Sequence, residues 1–489
     1  MPGPFLLVLL ALMQILKEFR ILALCAFAAC GIASAQHLAA QELPPAVSGA
    51  LRQAKIPVRT VGVFVQAVDA TRPMLAFNAA APFNPASVMK LVTTDAALEL
   101  LGPAFSWKTQ AYIDGVLNDG VLLGDLSIKG SGDPKLVMES FWMFLRQIRA
   151  KGVRDIRGNV VLDRSVFEEN VYDPAQFDGD PQKPYNVGPD ALLLNYKTVA
   201  IRFMPDEVAG QVNVAMEPPL SGYVITAPRL SKEAVCGDWQ GKLQADVGVG
   251  AAVFNGAFPA ACGEKVWYVH PYRMSATQYF GAVLRQMWSE LGGTISGKVM
   301  PGNVAPVARL LAEWQSPAVP EVIRDINKYS NNVMARQLLL TIGAQASQAP
   351  GSTARGAQAI RGWLSAKGIG ADELVIENGA GLSRNERIAP ATLGQVLVDA
   401  FHSPVMPEFI ASMPLVGYDG TMRKRLNDKS VAGQAHIKTG SLNDVRSIAG
   451  YVQAASGKMY VAVFLINHPN APLGQAAQDA LLQWVFEKG

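Results

Sequence analysis

The chain has 489 residues, 50% of them hydrophobic and 17% charged, with a formal net charge of +3 at pH 7. That length exceeds what one compact core holds and calls for more than one domain. Near-balanced charge without a basic run excludes a dedicated nucleic-acid binder, and the composition is that of a globular protein.

In chain order, two apolar stretches, 4–16 and 21–35, come first, separated by the charged block Lys17-Glu18-Phe19-Arg20. Neither is long enough for a confident membrane span. The second ends in Ala33-Ser34-Ala35, a small-x-small cleavage pattern, so residues 1–35 read as a signal peptide whose true start is Met13. A retained signal anchor is the alternative, and a lipid attached at Cys30 fits less well with Phe27 upstream. Export to the periplasm follows from this reading. Cys25 and Cys30 would leave with the leader, and Cys236 and Cys262 remain as a pair expected to form a disulfide, two free thiols being the alternative. The five histidines are scattered without ligand spacing, so neither metal nor cofactor is expected.

Residues 61–68 are β-branched and apolar, a strand, with 75–78 as its hairpin partner. Asn84-Pro85-Ala86-Ser87 then opens a helix ended by Gly102-Pro103. From about 107 to 259, short strand-like runs (121–129, 158–162, 199–204, 223–226) alternate with Gly, Pro and Asp clusters, which predicts a β-rich insertion, plausibly of two subdomains. Helical periodicity returns over 276–291, 319–343, 354–367 and 390–401. The chain closes with strands over 434–438, 445–454 and 458–466 and a helix over 473–487. The expected organisation is a catalytic domain from 36–104 and 265–489, interrupted by a β-rich region at 105–264. The closing helix is amphipathic; packing on the sheet suits it better than membrane attachment, so membrane association is at most loose.

Three short motifs carry chemistry: Ser87-Val88-Met89-Lys90, Ser330-Asn331-Asn332 and Lys438-Thr439-Gly440. A serine at a helix N-terminus with a lysine one turn later places nucleophile and base on one face, and the terminal N–H groups favour negative charge there. Each motif also has a bland reading: a capping serine with a solvated lysine, a helix cap before Val333, an ordinary strand end. Three in this order, each on a suitable element, make the joint coincidence improbable. For Lys90 to act as a base it must be partly neutral, which burial and a neighbouring cation such as Lys438 would favour.

Beyond the motifs, Gly124-Asp125-Leu126, Gly130-Ser131-Gly132-Asp133-Pro134, Ala191-Leu192-Leu193-Leu194-Asn195-Tyr196, Gly379-Ala380-Gly381-Leu382-Ser383-Arg384, the run 414–421 and the block 438–451 complete a resemblance across nearly the whole mature chain. The chain resembles the low-molecular-mass class C penicillin-binding proteins of the penicillin-binding protein 4 type, D-alanyl-D-alanine carboxypeptidase/endopeptidases. The resemblance implies an α/β (α+β) fold: a β-lactamase/transpeptidase-like domain with an antiparallel sheet flanked by helices, interrupted by inserted domains. It implies cleavage of the terminal D-Ala-D-Ala bond of peptidoglycan stem peptides and of cross-links, with β-lactams as covalent inhibitors. By resemblance Ser87 is the nucleophile and Lys90 its base, Ser330 and Lys438 relay a proton to the leaving group, and Asn332 binds the stem. The N–H groups of Ser87 and Ser441 form an oxyanion hole, and Thr439, Gly440 and Ser441 receive the terminal carboxylate. Asp180 and Arg384 resemble the pocket for the amino-bearing side chain of the stem; solvated loop charges are the alternative for both.

Two other functions compete. A serine β-lactamase is disfavoured by Ser-Asn-Asn in place of Ser-Asp-Asn and by the large insertion. A catalytically inactive cell-wall-binding homologue is disfavoured by three intact motifs.

Overall fold

The computed structural model describes residues 42–169 and 171–489; the leader, its cleavage pattern, Met13, Cys25 and Cys30 lie outside them. Helix α1 (Pro45–Gln53) precedes strand β1 (Val61–Ala67), its hairpin partner β2 (Leu75–Phe77) and, through a 3₁₀ turn (Ala86–Val88), helix α2 (Met89–Leu100).

The region that follows holds β3 (Lys108–Asn118), β4 (Val121–Gly130), α3 (Met138–Ala150), β5 (Asp155–Ile156), β6 (Val160–Asp163), β7 (Val199–Asp206), β8 (Gln211–Glu217), β9 (Val224–Thr226), β10 (Arg229–Ser231), β11 (Leu243–Val247), β12 (Ala251–Pro259) and β13 (Lys265–Val269). It then continues through α4 (Ala276–Glu290), β14 (Thr294–Ile295), β15 (Val299–Pro301) and β16 (Arg309–Gln315). The end of the insertion expected at 264 is therefore corrected. β14 pairs with β5, β15 with β6 and β16 with β3, in one seven-stranded sheet. α4 buries Tyr279, Phe280, Leu284 and Trp288 in the core of that sheet. Entry and exit are stitched together, Trp107 N–H donating to Ser316 Oγ at 2.8 Å and Ser316 N–H to the Trp107 carbonyl at 2.9 Å. Two smaller sheets, β13-β7-β8 and the one around β12, hold the remainder. The Cys236–Cys262 disulfide is formed there. Helix α3 was not anticipated. Its buried residues Phe141, Phe144, Leu145 and Ile148 follow helical spacing, but the strand-rich surroundings masked the period.

After the insertion come α5 (Val319–Tyr329), α6 (Asn332–Ser347), α7 (Thr353–Ala366), α8 (Pro390–His402), α9 (Met406–Ser412), β17 (Ala435–Leu442), β18 (Val445–Gln453), β19 (Met459–Asn467) and α10 (Gln475–Lys488). The single helical run expected over 319–343 is broken at Ser330, which adopts φ +58° and ends α5 in a left-handed residue.

A five-stranded sheet ordered β17-β18-β19-β1-β2 joins both parts of the chain, with Val61 opposite Ile466 and Ala67 opposite Tyr460. Alternate residues of its buried strands feed two cores. Val63, Val65, Ile448, Phe464 and Ile466 pack beneath α1 and α10, while Phe64, Tyr451, Val461, Val463 and Leu465 face α2 and α5–α8. The apolar face of α10 (Ala477, Leu481, Leu482, Val485) is spent on the first of these cores.

Candidate active site

Ser87 sits in the 3₁₀ turn ahead of α2 rather than in the α-helix itself. The approach to it is clamped at Asn84. Its N–H donates to Asn467 Oδ1 (2.7 Å), its carbonyl accepts from Asn467 Nδ2 (3.0 Å), its Nδ2 donates to the Ser383 carbonyl (2.9 Å), and its Oδ1 accepts from Ala86 N–H (2.9 Å). Ala86 is held at φ +46°, a region alanine seldom adopts, immediately before the serine. Ser447 on β18 donates to the Pro85 carbonyl at 2.6 Å, completing the seat.

Lys90 follows one turn on and is fully buried. Its Nζ lies 3.0 Å from Ser87 Oγ and 2.6 Å from Asn332 Oδ1, and it also donates to the Ala380 carbonyl. Burial pushes its pKa well below the lysine range; Lys438 and Arg336 push the same way, and Glu386 opposes them.

The second motif occupies the corner between α5 and α6. Asn331 caps α6, its Oδ1 accepting from Met334 N–H at 3.1 Å, which frees Asn332 at the helix start to reach Lys90. The left-handed Ser330 accepts from Lys438 Nζ at 2.9 Å. Lys438 also donates to the Thr439 carbonyl at 2.8 Å, and burial pushes its pKa down to about 7.

β17 is an edge strand, and its hydrogen bonds reveal which groups face outward. Ala435 and Ile437 bond outward, to Val416 N–H and the Pro414 carbonyl, so alternation points the N–H groups of Thr439 and Ser441 at the same edge. Gly440 is the point of closest approach: a Cβ there would stand 2.2 Å from Ser447 Oγ and 2.8 Å from Ser87 N. Thr439 Oγ1 donates to Thr421 Oγ1 at 2.8 Å, and Ser441 is exposed.

The structure thus gathers Ser87, Lys90, Ser330, Asn332, Lys438 and Gly440 into one connected group. Arg384 lies at its rim. Its guanidinium carbon stands 4.8 Å from the Phe177 ring centroid, and its Nη1 is 3.1 Å from Asp444 Oδ1. Phe177 belongs to an insertion loop pinned to α6, where Arg336 donates to the Val187 carbonyl at 2.7 Å and Asp190 N–H to Gln337 Oε1 at 2.9 Å. Asp180, in the same loop, is half-exposed and faces Lys183 at 3.7 Å. Its neighbour Asp178 is the engaged one, accepting from Tyr185 Oη and Asn186 Nδ2, both at 2.7 Å. Sequence reasoning missed Asn84, Asn467, Thr421, Arg336 and Glu386. Each is a single residue in a loop, a helix or, for Asn467, the end of β19, and only the fold brings it to the site.

Among the described residues no group of three or more His, Cys, Asp or Glu could hold a metal ion, and no helix is long and apolar enough to cross a membrane.

Residues 43–488 match the profile of the D-Ala-D-Ala carboxypeptidase 3 (S13) family. The chain is 26% identical over 420 residues to D-alanyl-D-alanine carboxypeptidase DacB of Haemophilus influenzae, covering 83% of this chain and 85% of that protein. It is 27% identical over 413 residues to the D-alanyl-D-alanine carboxypeptidase of an Actinomadura species, covering 81% and 76%. In structure it is similar to penicillin-binding protein 4 of Haemophilus influenzae, with a TM-score of 0.75 and 24% identity over 90% of this chain and 99% of that one.

Proposed function

This chain belongs to the D-Ala-D-Ala carboxypeptidase 3 (S13) family and is a serine-type hydrolase of that kind, and we propose that its acyl-enzyme forms on Ser87. The observation that carries this reading is the 3.0 Å contact between Ser87 Oγ and a lysine whose burial favours the neutral amine.

The contacts around Ser87 and Lys90 and the family resemblance support the following steps. Neutral Lys90 accepts the hydroxyl proton as Ser87 Oγ attacks the carbonyl of the penultimate D-alanine. Asn332 and the Ala380 carbonyl orient the amine, and Asn332 also offers its amide to the stem peptide. The developing oxyanion is taken by the N–H groups of Ser87 and Ser441, a pair in which losing one donor typically raises the barrier by about 2.7–4 kcal/mol. The tetrahedral intermediate collapses as Ser330, hydrogen-bonded to Lys438, passes a proton to the departing D-alanine. Its carboxylate is held by the Thr439 and Ser441 hydroxyls beside Lys438, with Gly440 leaving room for the ligand backbone. Water then hydrolyses the acyl-enzyme.

Arg384, with Asp180 and Asp178 of the adjoining loop, faces the side chain of the stem, so the insertion takes part in substrate choice. The same cleft serves cross-linked stems, which adds endopeptidase action, and a β-lactam acylates the same serine. The signal peptide read at 1–35 and a peptidoglycan substrate support a periplasmic enzyme, and the buried face of α10 supports at most loose membrane association.

The test is mass spectrometry of purified monomeric and cross-linked muropeptides after incubation with wild type and Ser87→Ala, together with mapping of the benzylpenicilloyl adduct. Release of D-alanine by wild type alone, with the adduct on Ser87, is expected. Equal activity of the two proteins, or an adduct on another serine, overturns the assignment.

A further inference from the structure

The loop that gives its carbonyl to Lys90 is held from beneath by one carboxylate. Glu386 is completely buried, and its Oε1 accepts from the backbone N–H groups of Glu377 (3.0 Å), Asn378 (2.9 Å) and Gly379 (3.0 Å). The next residue, Ala380, bonds Lys90 Nζ, and Gly381 packs on the nucleophile's turn, where a Cβ would lie 1.9 Å from the Ala86 carbonyl oxygen. Glu386 Oε2 is buried without a hydrogen-bond partner. Burial raises the pKa of this carboxyl, while the three N–H groups and the neighbouring Lys90 oppose that shift and favour the ionised form.

The charged groups around this carboxylate are few. Lys90 and Arg336 face it, while Arg387 turns to the backbone carbonyls of Arg384 and Glu386, both at 2.8 Å. Lys90 is faced by Lys438 from β17, by Arg336 from α6 and by Glu386 from the 377–386 loop; its hydrogen-bond partners Ser87, Asn332 and the Ala380 carbonyl are neutral. When Lys90 takes the Ser87 proton, a new ammonium appears in an enclosed space already bordered by a lysine and an arginine. Only one anion stands among those groups.

We propose that Glu386 is a positioning residue for acylation, holding the Ala380 carbonyl against Lys90 and offsetting the positive charge that Lys90 acquires with the serine proton. In that step the Ser87 Oγ–H bond breaks, an Oγ–carbon bond forms, the carbonyl π pair moves onto oxygen, and the proton rests on Lys90 Nζ. The inference depends on Lys90 being the base. Glu386 acts twice, through the three N–H groups that shape the loop and through its charge. The second role separates it from an ordinary loop anchor.

Glu386→Gln keeps the shape and an oxygen for the three N–H groups while removing the charge. Acylation by benzylpenicillin is followed in wild type and variant from about pH 5 to 10. The expected result is a plateau rate reduced about tenfold or more, with the acid limb displaced about one unit to lower pH because Lys90 holds its proton less tightly. A plateau and limb equal to those of wild type overturn the proposal.

Thermal unfolding of a cycle with Lys90→Met supplies a readout independent of activity. Below the acid limb, where Lys90 of wild type carries its proton, the Lys90→Met background leaves the carboxylate with less compensation, so adding Glu386→Gln raises the melting temperature there and lowers it in wild type. Equal losses in both backgrounds overturn the charge role. Should Glu386→Gln alone be insoluble, recovery of folded double variant supports the proposal and continued insolubility overturns it. Wild-type acylation by Lys90→Met would instead remove Lys90 as the base, a failure distinct from that of Glu386.

Discussion

Lys438 Nζ lies 2.9 Å from Ser330 Oγ because a left-handed corner turns that hydroxyl back towards the end of an edge strand. Two buried lysines therefore share one site, Lys438 on one side and Lys90 on the other, and both have pKa values lowered by desolvation. A site of this kind trades stability for reactivity, and that trade can be measured.

Between pH 7 and the ordinary lysine range, the unfolded chain holds a proton on Lys438 that the folded chain has released. Stability from this group therefore rises with pH through that window and is lowest below pH 7. Lys438→Met is expected to melt several degrees above wild type near pH 7, with the gap closing towards pH 10, while acylation is lost. Scanning calorimetry across pH checks both the sign and the window.

Gly440→Ala forces β17 away from the nucleophile, since the added carbon would meet Ser447 Oγ at 2.2 Å, Ser87 N at 2.8 Å and the Pro85 carbonyl oxygen at 2.9 Å. A displacement approaching 1 Å in a reacting geometry is worth about 100-fold in rate. Stopped-flow acylation should show a loss of that order.

Arg384 bridges an insertion loop and the β17–β18 turn, touching Phe177 and Asp444 but not the lysine–serine group. Arg384→Ala should raise KM for a stem peptide about tenfold, as expected for losing a charge-assisted contact, and leave benzylpenicillin acylation within about threefold. A loss of both would place Arg384 in the machinery of acylation.

Asp95, on α2 beyond Lys90, is fully buried with neither carboxylate oxygen hydrogen-bonded. Burial raises its pKa well above the usual range, with Glu99 adding to the effect. The folded chain thus binds the proton more tightly, and stability falls as pH rises above the unfolded carboxylate's pKa of about 4. Asp95→Leu should melt above wild type at pH 7, by a margin that shrinks near pH 4.

The Cys236–Cys262 bridge closes a 26-residue separation in the insertion. Replacing both cysteines by serine should cost about 3 kcal/mol of that region's stability and leave the acylation rate unchanged. Limited proteolysis with parallel acylation kinetics distinguishes the two effects.

The parts legible in the sequence were those written in contiguous residues. The strand at 61–67 places valine at 61, 63 and 65, and Ser87 and Lys90 lie three residues apart across the turn that leads into α2. The return of the chain through 294–315 was not legible, because β14 and β15 are too short to signal a strand and owe their form to β5 and β6. Ser330 was read within a motif that carries chemistry or caps a helix, and Asn331 does cap α6, but the left-handed backbone of Ser330 gave no signal within the apolar period of 319–343. Glu386 could not be singled out at all. A lone glutamate in a Gly- and Asn-rich loop looks solvated until the fold closes over it.

The pairing of β1 with β19 ties the site to the far end of the chain. β1, ahead of the segment bearing Ser87, has residues 459–467 as its neighbour on one side, and Lys438 on β17 joins the same sheet through β18. An incomplete chain holds the serine and its amine without the enclosure that makes the amine a base. The enclosure that makes the amine a base therefore draws on both ends of the chain, since β1 and β17–β19 belong to one sheet.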